Sequence, residues 1–219
     1  HEHGLDTGGV TREFYKLLSE QILDPTNALF LKTGMNGTYH PNPTSAVNED
    51  HLQYFTFIGK LVGKCLYDLN LMDTHFSRVI FKLIVGKPIT FDDMEYCDPS
   101  LYLAMKNILA YDQVEHMFLT FTAELNDFGS NNTFPLVYGG EHIPVTNENK
   151  KQFVELYSRW KLVESVRPQL TLFLSGLYSV IPRPYFSIFS ESELELLLCG
   201  KPKISVRDWQ QHCKYEAGF

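Results

Sequence analysis

The chain has 219 residues, 44% hydrophobic and 21% charged, with 16 Phe and 12 Tyr. That composition excludes disordered, collagen-like and low-complexity chains, and no apolar run reaches the ~18 residues of a membrane span. With 19 Lys and Arg against 26 Asp and Glu, the formal net charge of -7 argues against nucleic acid as the main partner.

From the N-terminus, which does not read as a signal peptide, Thr11 is a candidate N-cap for a helix to Ile22. Phe14, Leu17, Leu18 and Ile22 form its stripe, and Asp24-Pro25 stops it. Lys32 to Pro43, where Gly and Pro pair with Asn, reads as loop that can include an edge strand. The strongest helical signal lies between Asn48 and Met72. There Tyr54, Phe55, Ile58, Leu61, Val62, Cys65, Leu66 and Leu69 keep helical spacing on an arc wide enough to be largely buried. Phe76, Val79, Ile80, Leu83 and Ile84 form a second stripe, ended by Gly86 and Pro88.

Asp98-Pro99 is a cap with proline at the first helical position, after which Leu101, Met105 and Ile108 share a face. Met117 to Glu124 alternates as a strand does. Gly139-Gly140, between Leu136-Val137-Tyr138 and Ile143-Pro144-Val145, reads as a hairpin turn. Asn147 opens a helix with Phe153, Val154, Tyr157 and Trp160, and Pro168 starts another with Leu170, Phe173, Leu174, Leu177 and Ile181. Ser190 and Glu193 form a capping box before Leu194, with Gly200 closing the helix, and Ser205 with Asp208 repeats the device before Trp209. No solenoid-length repeat recurs. The expected class is α+β and mainly α-helical: a larger helical subdomain from residues 1–95 and 163–219, and a small mixed α/β subdomain at 96–162.

Most chemical motifs dissolve on inspection. Gly59-Lys60-Leu61-Val62-Gly63-Lys64 has three residues between its glycines where a phosphate loop needs four, with Cys65 where Ser or Thr belongs. Mid-helix, glycines at that interval instead let another helix approach. His212 and Cys213, adjacent on a helix, point about 100° apart and do not face each other as base and thiol. Glu191, Glu193 and Glu195 read as a solvated helix start favoured by the dipole. The eight histidines lack HExxH spacing, so no metal or cofactor is expected. Cys65, Cys97, Cys199 and Cys213 have neither disulfide-framework density nor zinc spacing, which points to a reducing, intracellular setting, cytoplasmic or nuclear. Cys65 and Cys199 read as core thiols. Leu101, Met105, Ile108, Phe153 and Tyr157 leave two readings open. They form the core of a subdomain of about 65 residues, too small to bury every large side chain, or an apolar groove that receives a partner's side chain.

Several stretches together resemble the N-terminal lobe of HECT-type ubiquitin ligases, and most of all the Nedd4-like branch. They are Gly4-Leu5-Asp6-Thr7-Gly8-Gly9-Val10-Thr11-Arg12-Glu13-Phe14, Asn48-Glu49-Asp50-His51-Leu52-Gln53-Tyr54-Phe55 and Val145-Thr146-Asn147-Glu148-Asn149-Lys150-Lys151. Glu193-Leu194-Glu195-Leu196-Leu197 with Cys199-Gly200, and Asp208-Trp209 with Tyr215 and Gly218, complete the set. They stand in family order with family spacing over essentially the whole chain.

The resemblance implies a lobe that docks a ubiquitin-conjugating enzyme carrying a ubiquitin thioester. A hinged second lobe would hold the cysteine that accepts ubiquitin and passes it to a substrate lysine, which is thioester exchange followed by aminolysis. The His-Thr-Cys-Phe-like context of the family nucleophile does not occur in this chain, and Cys213 stands where the family has threonine. The chain therefore reads as the docking half, with no catalytic residue of its own, missing an opening helix and inactive by itself. Protein substrates are expected to bind through other regions.

Carried over by position, the conjugating-enzyme groove comprises Leu101, Ala104, Met105, Asn107, Ile108 and Tyr111 on one helix. Leu119 on the strand and Phe153 with Tyr157 on the next helix complete it, and the partner's aromatic side chain enters. Ala104 replaces a frequent serine and Met105 a leucine, which bears on which conjugating enzyme is preferred. The expectation is an open cleft lined by Met105, Phe153 and Tyr157. The alternative is a non-catalytic helical interaction module of the same architecture.

Overall fold

The computed structural model describes residues 8–34, 37–127, 130–200 and 206–213. In chain order the first elements are α1 (Gly9–Ile22), β1 (Phe30–Thr33), β2 (Thr38–Pro41), α2 (His51–Tyr67), α3 (Arg78–Val85), α4 (Met94–Cys97) and α5 (Pro99–Ala110). There follow β3 (Thr122–Asp127), β4 (Ser130–Pro135), α6 (Lys150–Leu162), α7 (Arg167–Val180), α8 (Glu191–Cys199) and α9 (Val206–His212). The mainly helical α+β class is what the periodicities imply. No helix among the described residues is long and apolar enough to cross a membrane.

Local chemistry accounts for the best-defined helix ends. The Asp98 carboxylate accepts the Leu101 N–H (3.0 Å), and Pro99 opens α5. Ser190 and Glu193 form the expected capping box of α8. Gly86, at φ 80°, ends α3 in a left-handed conformation that glycine adopts without strain. Elsewhere boundaries move. Helix α1 starts after Gly8 rather than at Thr11. Phe14 and Leu17 face solvent, because Tyr15, Ser19 and Ile22 turn inward and the Tyr15 hydroxyl donates to Asp68 (3.3 Å). Tyr54 and Leu69 are likewise exposed, Leu69 lying beyond the end of α2. The cap expected at Ser205, and the matching residues Gly4 to Thr7, Tyr215 and Gly218, lie outside the described residues.

Sheet structure departs further from the local pattern. The stretch read as loop with an edge strand belongs to an antiparallel hairpin that starts earlier, pairing Phe30 with Pro41 and Thr33 with Thr38, tied to the chain after α2 by a parallel bridge from Tyr39 to Phe76. Strand β3 begins at Thr122 rather than Met117, because Val114–Met117 wind into a 3-10 turn and Phe118 is left-handed. Strand β3 pairs with β4 from Thr122↔Pro135 to Asp127↔Ser130. Gly139-Gly140 does turn, but its flanks bracket Phe121 rather than each other. The Phe121 N–H donates to the Gly140 and Ile143 carbonyls, while its own carbonyl accepts Leu136 N–H. Helix α6 starts at Lys150, not Asn147, with the Asn149 side chain accepting Thr146 N–H (2.7 Å).

The buried side chains fall into two clusters. One gathers residues of α1, β1, α2, α3, α7 and α8 around Phe30, Phe55, Phe76 and Phe173, with ring centroids 5.2 to 5.7 Å apart. The Gly59–Gly63 pair lies here: α2 crosses α7 so closely that a Cβ on Gly59 would stand 2.0 Å from the Phe173 carbonyl oxygen. The glycines serve packing. The second cluster runs from Val79 and Met94 through Met105, Ile108, Phe121, Val145, Phe153 and Leu162.

Glu191 is a correction. It is buried, and accepts hydrogen bonds from Arg78 and Lys87 (both 2.7 Å) instead of facing solvent. Those cations, Lys87 foremost, hold its carboxyl down to about 2 from an ordinary 4.5. His40, buried with Nδ1 2.8 Å from the Ser77 hydroxyl, is pushed down from 6.5 to about 4, chiefly by burial. Both shifts remove stability in acid, in different windows. As pH falls from about 6.5 to 4, the unfolded chain takes up a proton on His40 that the folded chain refuses. As it falls from about 4.5 to 2, the same holds for Glu191. Unfolding midpoints measured against pH should therefore drop in two steps, with His40→Asn removing the upper one. Parallel losses in both proteins above pH 4.5 would show that His40 is not the group.

Candidate docking site

The carried-over residues converge on α5, α6 and the chain between them, at different depths. On α5, Met105 and Ile108 point into the second cluster and are 5% and 7% exposed. On α6, Phe153 is 3% exposed and meets Phe121 edge-on, ring centroids 5.6 Å apart at 77°. The open cleft expected between the helices is therefore closed at Met105 and Phe153. Phe121 and Val145, from the intervening chain, join them in one buried cluster. Leu101, Leu119 and Tyr157 sit half-buried at the rim, and Ala104, Asn107 and Tyr111 are exposed. Tyr157 stacks obliquely on Phe153 and Trp160, and burial, then Glu124 and Asp98, raises its hydroxyl pKa.

The surface over this floor is more apolar than the periodicity suggested. Leu103 on α5, Met117 and Phe118 are 59%, 46% and 90% exposed. Alternation had placed Met117 to Leu119 inside a strand, where Met117 and Leu119 share one face and Phe118 takes the other. The 3-10 turn breaks that pattern. A run of three apolar residues directly after Glu115-His116 is the signal that would have pointed to them.

The Val145–Lys151 stretch holds this segment in place. The Asn147 N–H donates to the Glu115 carboxylate (2.9 Å), its side-chain amide donates to the Asp112 carbonyl, and the Lys150 ammonium donates to the Tyr111 carbonyl (2.8 Å). The bond from Asn147 keeps the exposed Glu115 carboxyl below its ordinary pKa. Residues 111–115 are thus latched to the chain at the start of α6, through two charge-assisted bonds, the stronger kind, and one neutral amide bond.

The thiols offer no activated nucleophile in the core. Cys65, Cys97 and Cys199 are each raised to about 12, burial being the main cause, so they stay protonated at neutral pH. Cys213 is exposed next to α9, whose range ends at His212.

The family described as HECT-domain (ubiquitin-transferase) matches residues 16–219, and the chain belongs to it. It is 42% identical to E3 ubiquitin-protein ligase TOM1 of Saccharomyces cerevisiae over 98% of this chain and 7% of that protein. It is 41% identical to the TOM1-like ligase of Neurospora crassa over 98% of this chain and 5% of that one. With E3 ubiquitin-protein ligase NEDD4 of Homo sapiens it shares 40% identity over 100% of this chain and 17% of the relative. The chain thus spans less than a fifth of the length of these relatives. The resemblance read in the sequence, to the N-terminal lobe of the Nedd4-like branch, holds.

Proposed function

We propose that this chain is the docking lobe of a HECT ubiquitin-protein ligase. It binds a ubiquitin-conjugating enzyme so that ubiquitin passes by thioester exchange to a cysteine in another lobe of the full-length protein, and from there to substrate lysines. The observation that carries the reading is the latched apolar surface on α5 and residues 111–119, set over a closed floor of Met105, Ile108 and Phe153. The names of the relatives, all E3 ubiquitin-protein ligases, support the transfer role. Cys65 and Cys97 are buried and Cys199 half-buried, so none of these three fits a ubiquitin acceptor; Cys213, the exposed thiol, stands where the family usually has threonine. Within the carried-over set, contact with the partner falls to Leu101, Ala104, Asn107, Tyr111, Leu119 and Tyr157, while the floor residues fix their arrangement. A transient complex of this type relies on a few apolar anchors in a small interface.

Ala104 tests the surface without disturbing the floor, because it is exposed. Ala104→Glu places a charged, longer side chain where an apolar contact is proposed. Affinity for a purified conjugating enzyme, followed by titration, should fall at least tenfold, about 1.4 kcal/mol, with the thermal midpoint unchanged. Equal affinities for the two proteins would move the docking surface elsewhere.

A further inference from the structure

We propose that Phe118 is the specificity-determining aromatic side chain of the docking surface, a projecting ring that enters an apolar recess on the conjugating enzyme. The proposal rests on the docking reading above and adds to it a residue that the family positions did not supply.

Three observations support it; the first two also hold for Leu69 after α2 (φ 56°, 80% exposed), and what distinguishes Phe118 is its place on the docking segment. Its backbone is left-handed, with φ 51° and ψ 33°, a conformation that is uncommon outside Gly, Asn and Asp and strained for an aromatic residue. Its side chain is 90% exposed, so no packing within the chain offsets that strain. The segment that carries it is nonetheless held on both sides. Phe118 N–H donates to the Glu115 carbonyl (3.2 Å), and Val145 N–H donates to the Leu119 carbonyl (2.8 Å). Glu115 itself is held by Asn147.

A strained backbone persists where surrounding structure over-determines it, and such sites cluster at binding surfaces. Here the result is an aromatic ring on an ordered spur, with little backbone freedom left to lose on association, which is what preorganisation contributes to affinity. Aromatic rings are also the residues most often found as interface anchors. The spur is continuous with the proposed surface: Met117 precedes it, Leu119 packs against the second cluster, and Tyr111 lies at the start of the same latched segment. Asp112 and Glu115 are exposed on that segment. The recess that receives Phe118 is therefore expected to be apolar and edged by Lys or Arg. Conjugating enzymes that lack it would be disfavoured, which is how one side chain discriminates among related partners.

Phe118→Asn separates this role from a structural one, because asparagine tolerates the left-handed backbone. The variant should unfold at the same or a higher temperature than wild type. Its affinity for the conjugating enzyme that wild type binds best, within a panel of purified enzymes, should fall about tenfold. Enzymes bound weakly by wild type should change less. An equal loss across the panel would overturn the specificity role, and a lowered unfolding midpoint accompanying weaker binding would make Phe118 structural. If Phe118→Asn binds like wild type while Ala104→Glu does not, the Phe118 proposal fails and the docking reading stands. If neither variant changes binding, both fail.

Discussion

Gly59→Ala is expected to lower stability by about 3 kcal/mol or more, although alanine is the better helix former. Helix propensity alone favours the change by about 1 kcal/mol. Packing opposes it more strongly. The added Cβ would stand 2.0 Å from the Phe173 carbonyl oxygen and 2.9 Å from the Leu177 nitrogen. Those are backbone atoms of α7, so no side chain can swing aside, and the helices must separate. Separation loosens Phe55, Ile58, Val62, Phe173 and Leu177, all essentially without exposure. Overpacking of a well-filled core typically costs 1–3 kcal/mol and occasionally more, and rigid neighbours place this site at the upper end. Gly176 faces the same crossing from α7, where a Cβ would stand 2.1 Å from the Thr56 carbonyl oxygen. Gly9→Ala is the control, with nothing within 4 Å of its added carbon, and should stay within about 0.5 kcal/mol of wild type. Urea unfolding of the variants decides the matter: a Gly59→Ala protein as stable as wild type would mean that α2 and α7 do not cross at these glycines.

The features legible in the sequence are those set by neighbours along the chain. Helical periodicity located α2 and α7, and side-chain capping located the start of α5 at Asp98 and of α8 at Ser190. What the sequence concealed was decided by distant partners. Glu191 looks like one carboxylate among several in a solvated first turn until Arg78 and Lys87, 113 and 104 residues away, bury it. The hairpin at Phe30–Pro41 depends on a cross-strand register and on Phe76, neither of which its Gly- and Asn-rich composition advertises. Alternation ran on through Met117 to Glu124 because a left-handed residue at Phe118 leaves no mark in a hydrophobic pattern. The residues proposed for docking show the same division. Spacing placed Leu101, Met105 and Ile108 on one face of α5 correctly, but depth is a tertiary property, set in a cluster that also takes in Phe121 and Val145 from the intervening chain.

That depth changes what a substitution at Phe153 reports. Phe153→Ala should cost about 3–5 kcal/mol, the usual range for truncating a fully buried phenylalanine, because its ring contacts Phe121 edge-on and Tyr157 obliquely. Phe153→Asp should cost more, since it adds an uncompensated charge to the second cluster. Loss of binding in the aspartate variant would then follow from loss of the fold rather than from a missing contact, which is why Ala104 and not Phe153 probes the surface. The two causes separate experimentally. Trp160 lies 6.3 Å from the Tyr157 ring and 5.6 Å from Phe134, so near-ultraviolet circular dichroism reports on the order of these rings. A structural Phe153 predicts that truncation weakens that signal, lowers the unfolding midpoint and reduces docking together. Abolished docking with an unaltered midpoint and spectrum would return Phe153 to the contact surface, and with it the open cleft that its 3% exposure argues against.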